Sequence, residues 1–224
     1  MKTHLTKQLA TEIIAHRVET GVETDAFFHW RDCPGCRAML SSGMDQAGFS
    51  FDSGKKIETV SVGESHGTMD IQIVAAEHRV VAVCLSEDEW METEEKLMCL
   101  GVKIRQASSS DFSGQIAEKV LCSYTEGKLY PAPKIHPLLI HSTFSLQVLF
   151  WTWMIPFGKT ATYGEVAFWV NQPQAARGVG SSLHHNPIPL IIPCHRIIGA
   201  GGKLVGFGGG LAMKRKLLEL ERSI

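Results

Sequence analysis

Leu5, Leu9, Ile13 and Ile14 fall at helical spacing and predict an amphipathic helix over residues 5–18. The pattern then loses its period. As far as residue 55 the chain is a mixed stretch with scattered glycines, an N-terminal extension of uncertain structure. From Ile57 the rhythm shortens. The β-branched runs Ile57–Val62, Met69–Ala75 and Arg79–Leu85 predict strands, and the gap Ala76-Glu77-His78 between the last two is of hairpin length. Glu87–Leu100 opens on acidic residues and carries Trp90, Leu97 and Leu100, which predicts a helix whose first turn suits the helix dipole. Val102–Gln106 reads as a further strand and Ser110–Thr125 as a further helix. Strands mixed with helices in this order predict a small α/β or α+β domain over residues 56–140.

Three prolines, at 131, 133 and 137, interrupt the pattern and mark residues 130–140 as a linker. Beyond it the periodicity turns helical, and residues 141–224 form the last predicted domain. Phe144–Ile155 is an apolar run of helix length, stopped by Pro156 and Gly158. Thr162-Tyr163-Gly164-Glu165 matches a capping box and opens a helix through Val170. Asn171-Gln172-Pro173 breaks it, with Pro173 placed in the first turn of another helix that ends near His184. Two short helices around a three-residue turn predict a helix-turn-helix. The apolar run Ile188–Ile192, a glycine-rich loop and a closing helix at Leu211–Arg222 complete the chain.

Composition narrows the class. With 224 residues, 44% apolar and 20% charged, the chain falls in the globular range, and collagen-like or wholly disordered readings are excluded. The formal charge of −1 conceals a split. Residues 1–140 hold 14 basic and 20 acidic side chains, whereas residues 141–224 hold 8 basic and 3 acidic. A polyanionic partner would therefore meet the C-terminal third. The first residues lack a signal-length apolar stretch, and no run of about 18 apolar residues is present to span a membrane, so a cytoplasmic protein is expected. Six scattered cysteines in a chain of this size suit free thiols better than a disulfide framework, and leave room for one of them to be chemical.

Cys194 follows the apolar run and precedes His195, so a thiol and a proton carrier are neighbours. A structural buried cysteine is the competing reading, because successive side chains of an extended segment point apart. Glu221 shares a helix face with Leu217 and Leu218. It is either a buried carboxylate orienting His195 or a solvated residue at a frayed helix end. Between Gln174 and Leu183 the helix is rich in small residues. Ala176, Gly178, Ser181 and Ser182 allow close approach to a nucleic-acid groove with Arg177 available to insert, or else tight packing on another helix. Gly199–Gly210 holds seven glycines in twelve residues but no P-loop pattern, and suits backbone approach to a flat ligand. Cys33-Pro34-Gly35-Cys36 has metal or redox spacing, yet lacks a second CxxC and an evident thioredoxin-like setting. A structural role is expected, and no metal.

Taken together, several segments resemble the O6-alkylguanine-DNA alkyltransferases, the methylated-DNA–protein-cysteine methyltransferases. They are Ile155-Pro156-Phe157-Gly158, Thr162 to Ala167, Ala175 to Gly180, Asn186-Pro187, Ile192 to Ile198 and Gly209 to Lys214. The similarity runs in order over about eighty residues, 143–222. It implies a small RNase H-like sheet in the N-terminal α/β domain and a mostly helical, winged-helix-like domain with the helix-turn-helix. It further implies stoichiometric alkyl transfer to Cys194, whose proton is drawn through a water by His195 and Glu221. Asn186 would brace the active-site turn, and Tyr163 would bond the guanine. Carbonyls at Cys194 and Ile197 would accept from its exocyclic amine, and the amide near Gly208 would face O6. Arg177, with Ala176, Gly178, Ser181 and Ser182 around it, would enter the minor groove and replace the flipped base. The partner implied is double-stranded DNA containing alkylated guanine, bound by a monomer in the cytoplasm or nucleoid without a cofactor. Phe207, Gly208 and His184 depart from the residues common in the family. A non-catalytic lesion sensor or adaptive-response-type regulator, and a Cys-His-Glu hydrolase, are the competing functions.

Overall fold

The computed structural model describes residues 33–42, 44, 57–65, 70–108, 110–126 and 133–222, and the expected helix at residues 5–18 lies outside them. The architecture is mixed α/β. A four-stranded sheet has the order β3-β2-β1-β4, built from β1 (Thr59–Ser65), β2 (Ile71–Ala76), β3 (Arg79–Cys84) and β4 (Lys103–Gln106). The β1–β2 and β2–β3 pairs are antiparallel, and β4 joins β1 in parallel through the crossover helix α2 (Glu87–Cys99). Ser86 caps α2 by accepting from Glu89 N–H at 3.2 Å, which ends the strand run and starts the helix at the acidic residues. The hairpin turns on only two residues, Glu77 and His78, at φ 48° and 60°, the doubly left-handed geometry that follows strand twist. A register shift follows at Val74/Ala75, and β3 is buried from Val80 to Cys84.

Helix α3 (Phe112–Glu126) lies on β1 at very close range. A Cβ built on Gly63 would come within 2.2 Å of the Gly114 nitrogen, so only glycine fits there. Beside it the fully buried Ser113 donates to Ser61 Oγ at 3.0 Å. The helix starts two residues later than Ser110, because Asp111 folds its carboxylate onto the Ser108 amide at 3.1 Å.

Residues 133–140 are no free tether, contrary to the linker reading. Val80 N–H donates to Lys134 O and His136 N–H donates to Val80 O, at 2.8 and 2.7 Å, so the segment pairs alongside β3. Ile135, Leu139 and Ile140 are buried, and Pro137–Leu139 makes one 3-10 turn. The prolines remove donors, but the His136, Leu138 and Ile140 amides still find partners.

Helix α4 (Thr143–Trp153) has seven buried residues and runs through the middle of one hydrophobic cluster. That cluster joins Ile71, Ile73, Val80 and Val83 of the sheet to Leu149, Trp151, Trp169 and Leu217. Against α4 pack α5 (Tyr163–Trp169) and α6 (Ala176–His184), while α7 (Gly210–Leu220) packs on the Cys194–Arg196 turn and adds Leu217 to the same cluster. The capping box is formed: Glu165 N–H donates to Thr162 Oγ1 at 3.2 Å, and Thr162 N–H donates to Glu165 Oε2 at 2.7 Å. Pro173, expected in the first helical turn, lies before it. Asn171 adopts φ 59° and Gln172 N–H bonds back to Ala167 O, so the connection uses more residues than the expected three and α6 begins at Ala176. Among the described residues no helix is long and apolar enough to cross a membrane.

Candidate active site

Two short strands set the site. β5 (Ala161–Thr162) pairs in parallel with β6 (Ile197–Ile198), with Ala161 opposite Ile197. The first residue of α5, Tyr163, is thereby brought beside the turn that precedes β6. That turn, Cys194–Arg196, is a single 3-10 turn rather than extended chain, and all three of its side chains are buried. Tight winding is how neighbouring residues share one interior here.

Asn186 holds the approach to the turn. Its Nδ2 donates to Ile192 O at 3.0 Å, and its Oδ1 accepts from Ile188 N–H at 3.1 Å. Its side chain also bonds the Cys194 thiol. Burial pushes that thiol up, while the Asn186 bond and the Lys214 charge pull it part of the way back. At neutral pH the resting group is therefore a neutral thiol, and a base is needed to use it.

His195 is fully buried, and burial holds its ring below the usual histidine range against the pull of Glu221. The ring is neutral at pH 7, and Nε2–H donates to Glu221 Oε1 at 2.9 Å. With Nε2 committed, Nδ1 is the nitrogen left to take a proton. Glu221 is 2% exposed, which decides against a frayed helix end. Burial would raise its pKa, but His195 and the adjoining guanidinium bring it down to about 2. That guanidinium is Arg196. Its Nε donates to Oε2 at 2.8 Å and its Nη2 to Oε1 at 2.9 Å, while Nη1 donates to Ile155 O at 2.6 Å. The buried carboxylate is thus neutralised by an ion pair, and the imidazole is oriented without being charged.

Over Cys194 lies a cavity of about 50 Å³, walled by Tyr163, Leu183 and Phe207 and rimmed by His184, Gly206 and Gly208. This is room for a few waters and is far below the roughly 300 Å³ at which small-molecule pockets begin. The Gly-rich loop forms one side. It is held by Tyr163 OH, which donates to Val205 O at 3.2 Å, and by Lys214, whose Nζ donates to Val205 O at 2.8 Å, Gly206 O at 3.1 Å and Ile197 O. Burial lowers the Lys214 ammonium to about 8, so it keeps its proton at neutral pH. The Cys194 carbonyl accepts the Ile197 amide.

The small-residue helix divides. Arg177 and Ser181 are exposed and Ala176 is half-buried on the open side. Gly178, half-buried, and Ser182, buried, are turned inward. A Cβ at Gly178 would meet the Phe144 ring at 3.2 Å, and Ser182, 7% exposed, shares a hydrogen bond of 3.0 Å with Ser145. At those two positions small residues serve packing of α6 on α4. Gly180 faces Tyr163, at 3.7 Å from a built Cβ, and so lies on the cavity side.

Cys33 and Cys36 flank the start of helix α1 (Pro34–Ser42), the first helix among the described residues. Among the described residues no three His, Cys, Asp or Glu side chains converge as a metal would require.

Comparison with known proteins places this geometry. Residues 143–223 match the family model described as the DNA-binding domain of 6-O-methylguanine DNA methyltransferase. The Mycobacterium tuberculosis methylated-DNA–protein-cysteine methyltransferase is 59% identical over 69 residues, 31% of this chain and 42% of that relative. The corresponding protein of Methanosarcina acetivorans is 54% identical over 69 residues, 44% of its length. These alignments span less than half of the curated relatives they match. A solved structure of M. tuberculosis OGT in complex with DNA reaches further, with 32% identity, a TM-score of 0.59, and coverage of 74% of this chain and 93% of that one. The chain belongs to the methylated-DNA–protein-cysteine methyltransferase family. The archaeal O6-methylguanine-DNA methyltransferase from Pyrococcus kodakaraensis, 23% identical with a TM-score of 0.53, shares the fold.

Two side chains of this family member escaped the reading of its sequence. Lys214 occupies a helix position where lysine is ordinary, and Arg196 passes for a surface charge next to His195. Only Arg196 carried a signal. A buried carboxylate at Glu221 demands a cation, and Arg196 is the arginine beside its expected partner.

Proposed function

We propose that this protein repairs DNA by transferring the alkyl group of an O6-alkylguanine to Cys194, one group per protein molecule. The observation that carries the reading is the Cys194 thiol under a small cavity, backed by a neutral His195 bound to the ionised Glu221. His195 draws the thiol proton through a water. The sulfur attacks the alkyl carbon in line, the S–C bond forms, and the C–O6 bond electrons leave with guanine, which takes up a proton. The thioether product has no leaving group that water can displace, so the protein acts once.

A guanine O6 is out of reach inside a duplex, so the base is extruded at a cost of a few kcal/mol. In this reading α5 and α6 act as a helix-turn-helix of a winged-helix-like C-terminal domain, which follows an RNase H-like N-terminal domain. Arg177 fills the vacated stack, and Ala176 and Ser181 lie along the minor groove. The first turn of α6 has no side-chain cap, which suits a phosphate oxygen. Tyr163 bonds the guanine, and the Gly208 amide faces O6. The second lone pairs of the Cys194 and Ile197 carbonyls accept its amine. Asn186 keeps the turn in place. The partner is double-stranded DNA with an alkylated guanine, met by a monomer in the cytoplasm or nucleoid. With a net charge of only +5 over residues 141–224, binding is weak and salt-sensitive.

The test is incubation with a duplex carrying O6-methylguanine. One methyl mass should appear on the Cys194 peptide and none on Cys194→Ala. Reduced, folded protein that stays unmodified would refute the proposal.

A further inference from the structure

The CxxC segment is not used by the alkyl-transfer chemistry, and its geometry differs from that of an inert structural thiol. Cys33 immediately precedes the nine-residue helix α1, and its carbonyl accepts the Arg37 amide at 2.9 Å, closing the first turn. That turn brings Cys36 back beneath Cys33. Hydrogen bonds from the Cys36 backbone and side chain hold the Cys33 thiol below its ordinary range against a smaller desolvation penalty, with lesser help from the Gly35 backbone and the Arg37 cation. The two sulfurs differ in access: Cys33 is partly exposed, whereas Cys36 is 2% exposed and packed in the core cluster. By contrast the buried Cys84 is pushed up to about 11 by burial.

The helix carrying this pair is fixed to the body of the protein. Arg37, 7% exposed, stacks its guanidinium 4.4 Å over the Phe168 ring and donates from Nη2 to Asn171 Oδ1 at 3.4 Å. Phe168 lies in the last turn of α5 and Asn171 in the turn toward α6, so the pair is held against that turn, and neither cysteine lines the Cys194 cavity.

We propose that Cys33 and Cys36 form a second reactive centre, a dithiol that exchanges with low-molecular-weight disulfides. A partly exposed thiol at a helix start, with a second thiol one turn on and buried behind it, is the arrangement two-step exchange requires. The Cys33 thiol releases its proton to solvent and its sulfur attacks one sulfur of the small disulfide; a mixed disulfide forms, the small disulfide's S–S bond breaks and one small thiolate departs. Cys36 then gives up its proton to that thiolate and attacks Cys33 sulfur. The Cys33–Cys36 bond forms and the second small thiolate departs, taking its proton from solvent. The protein loses two hydrogens and the small disulfide becomes two thiols.

The experiment equilibrates the full-length protein in glutathione buffers of graded oxidised-to-reduced ratio, quenches with an alkylating agent and maps tryptic peptides. Cleavage after Arg31 and Arg37 releases residues 32–37 with both cysteines. That peptide should pass from doubly alkylated to the internal disulfide as the ratio rises, while the Cys84 and Cys194 peptides stay alkylated after unfolding. In Cys36→Ser the glutathione adduct should accumulate on Cys33. In the native protein Cys33 should react with iodoacetamide at least about tenfold faster than Cys84 at pH 7. A peptide that remains dithiol in fully oxidised glutathione overturns the proposal. So does a purified protein that holds stoichiometric zinc and yields both thiols only after chelation, which would make the pair metal ligands. Every readout is independent of alkyl transfer to Cys194.

Discussion

Glu221→Gln removes a charge and almost no volume from a carboxylate that accepts three hydrogen bonds. One comes from His195 Nε2 and two from Arg196, at 2.8 to 2.9 Å. Glutamine offers one accepting oxygen, and its NH₂ must then face a donor of either Arg196 or His195. Arg196, 4% exposed, would keep one bond to that oxygen and its bond to Ile155 O but would lose its counter-charge. Removing one partner of a buried ion pair costs about 3–5 kcal/mol, a large share of the roughly 5–15 kcal/mol of a typical domain. At a urea slope of roughly 2 kcal/mol/M the unfolding midpoint should fall by about 2 M. Buried Trp151 and Trp169 provide the fluorescence signal. The pH dependence gives an independent sign. Glu221 is depressed to about 2 in the folded protein, against an unfolded value of about 4.3. Its contribution is complete above the unfolded value and is lost as pH falls toward 2, so the variant should lack that part of the acid limb. A loss below about 1 kcal/mol, with the acid limb unchanged, would refute the assignment of a charged, paired Glu221.

Lys214→Met keeps the length of the side chain but releases the Gly-rich loop and strands the buried Ile197 carbonyl. It should cost about 1–3 kcal/mol in urea unfolding and slow alkylation in a quenched-flow assay; a variant of unchanged stability and rate would show that the loop needs no such tether. Gly63→Ala should cost at least about 1–3 kcal/mol because backbone, not a flexible side chain, blocks the new methyl. A thermal melt within a degree or so of wild type would contradict the close contact with Gly114. The alkylation rate should fall on acidification, as His195 takes up the proton that disables it as a base, and rise toward alkaline pH as the raised Cys194 thiol ionises. A rate that increases from pH 8 to pH 5, measured by mass spectrometry of quenched samples, would exclude His195 in that role.

Much of this fold is legible in local pattern. The strands at 71–76 and 79–84, the helix after Ser86 and the capping box at Thr162 fall on the elements that periodicity and cap residues predict, and the strand at 59–65 overlaps its predicted run but extends three residues beyond Val62. Each depends on neighbours in sequence. What the pattern missed depends on neighbours in space. The proline segment reads as a linker because prolines exclude regular ladders, yet the Lys134 carbonyl and His136 amide still reach Val80. The same limit governs the site. Sequence leaves Glu221 ambiguous where Arg196 and His195 enclose it in space, and it leaves the face of Gly178 and Ser182 open where Phe144 and Ser145 occupy it. Small residues permit close approach without naming the body that approaches.

The tightness of the cavity over Cys194 has a consequence for selectivity by exclusion. A protein that spends its acceptor once loses everything to an unproductive encounter, and the cell is full of soluble electrophiles. A thiol kept neutral, 8% exposed and roofed by a loop with only about 50 Å³ free is shielded from them. On the proposed function a flat base would have to displace the Gly206–Gly208 stretch to enter, and the energy of seating the right ligand would then be what uncovers the sulfur.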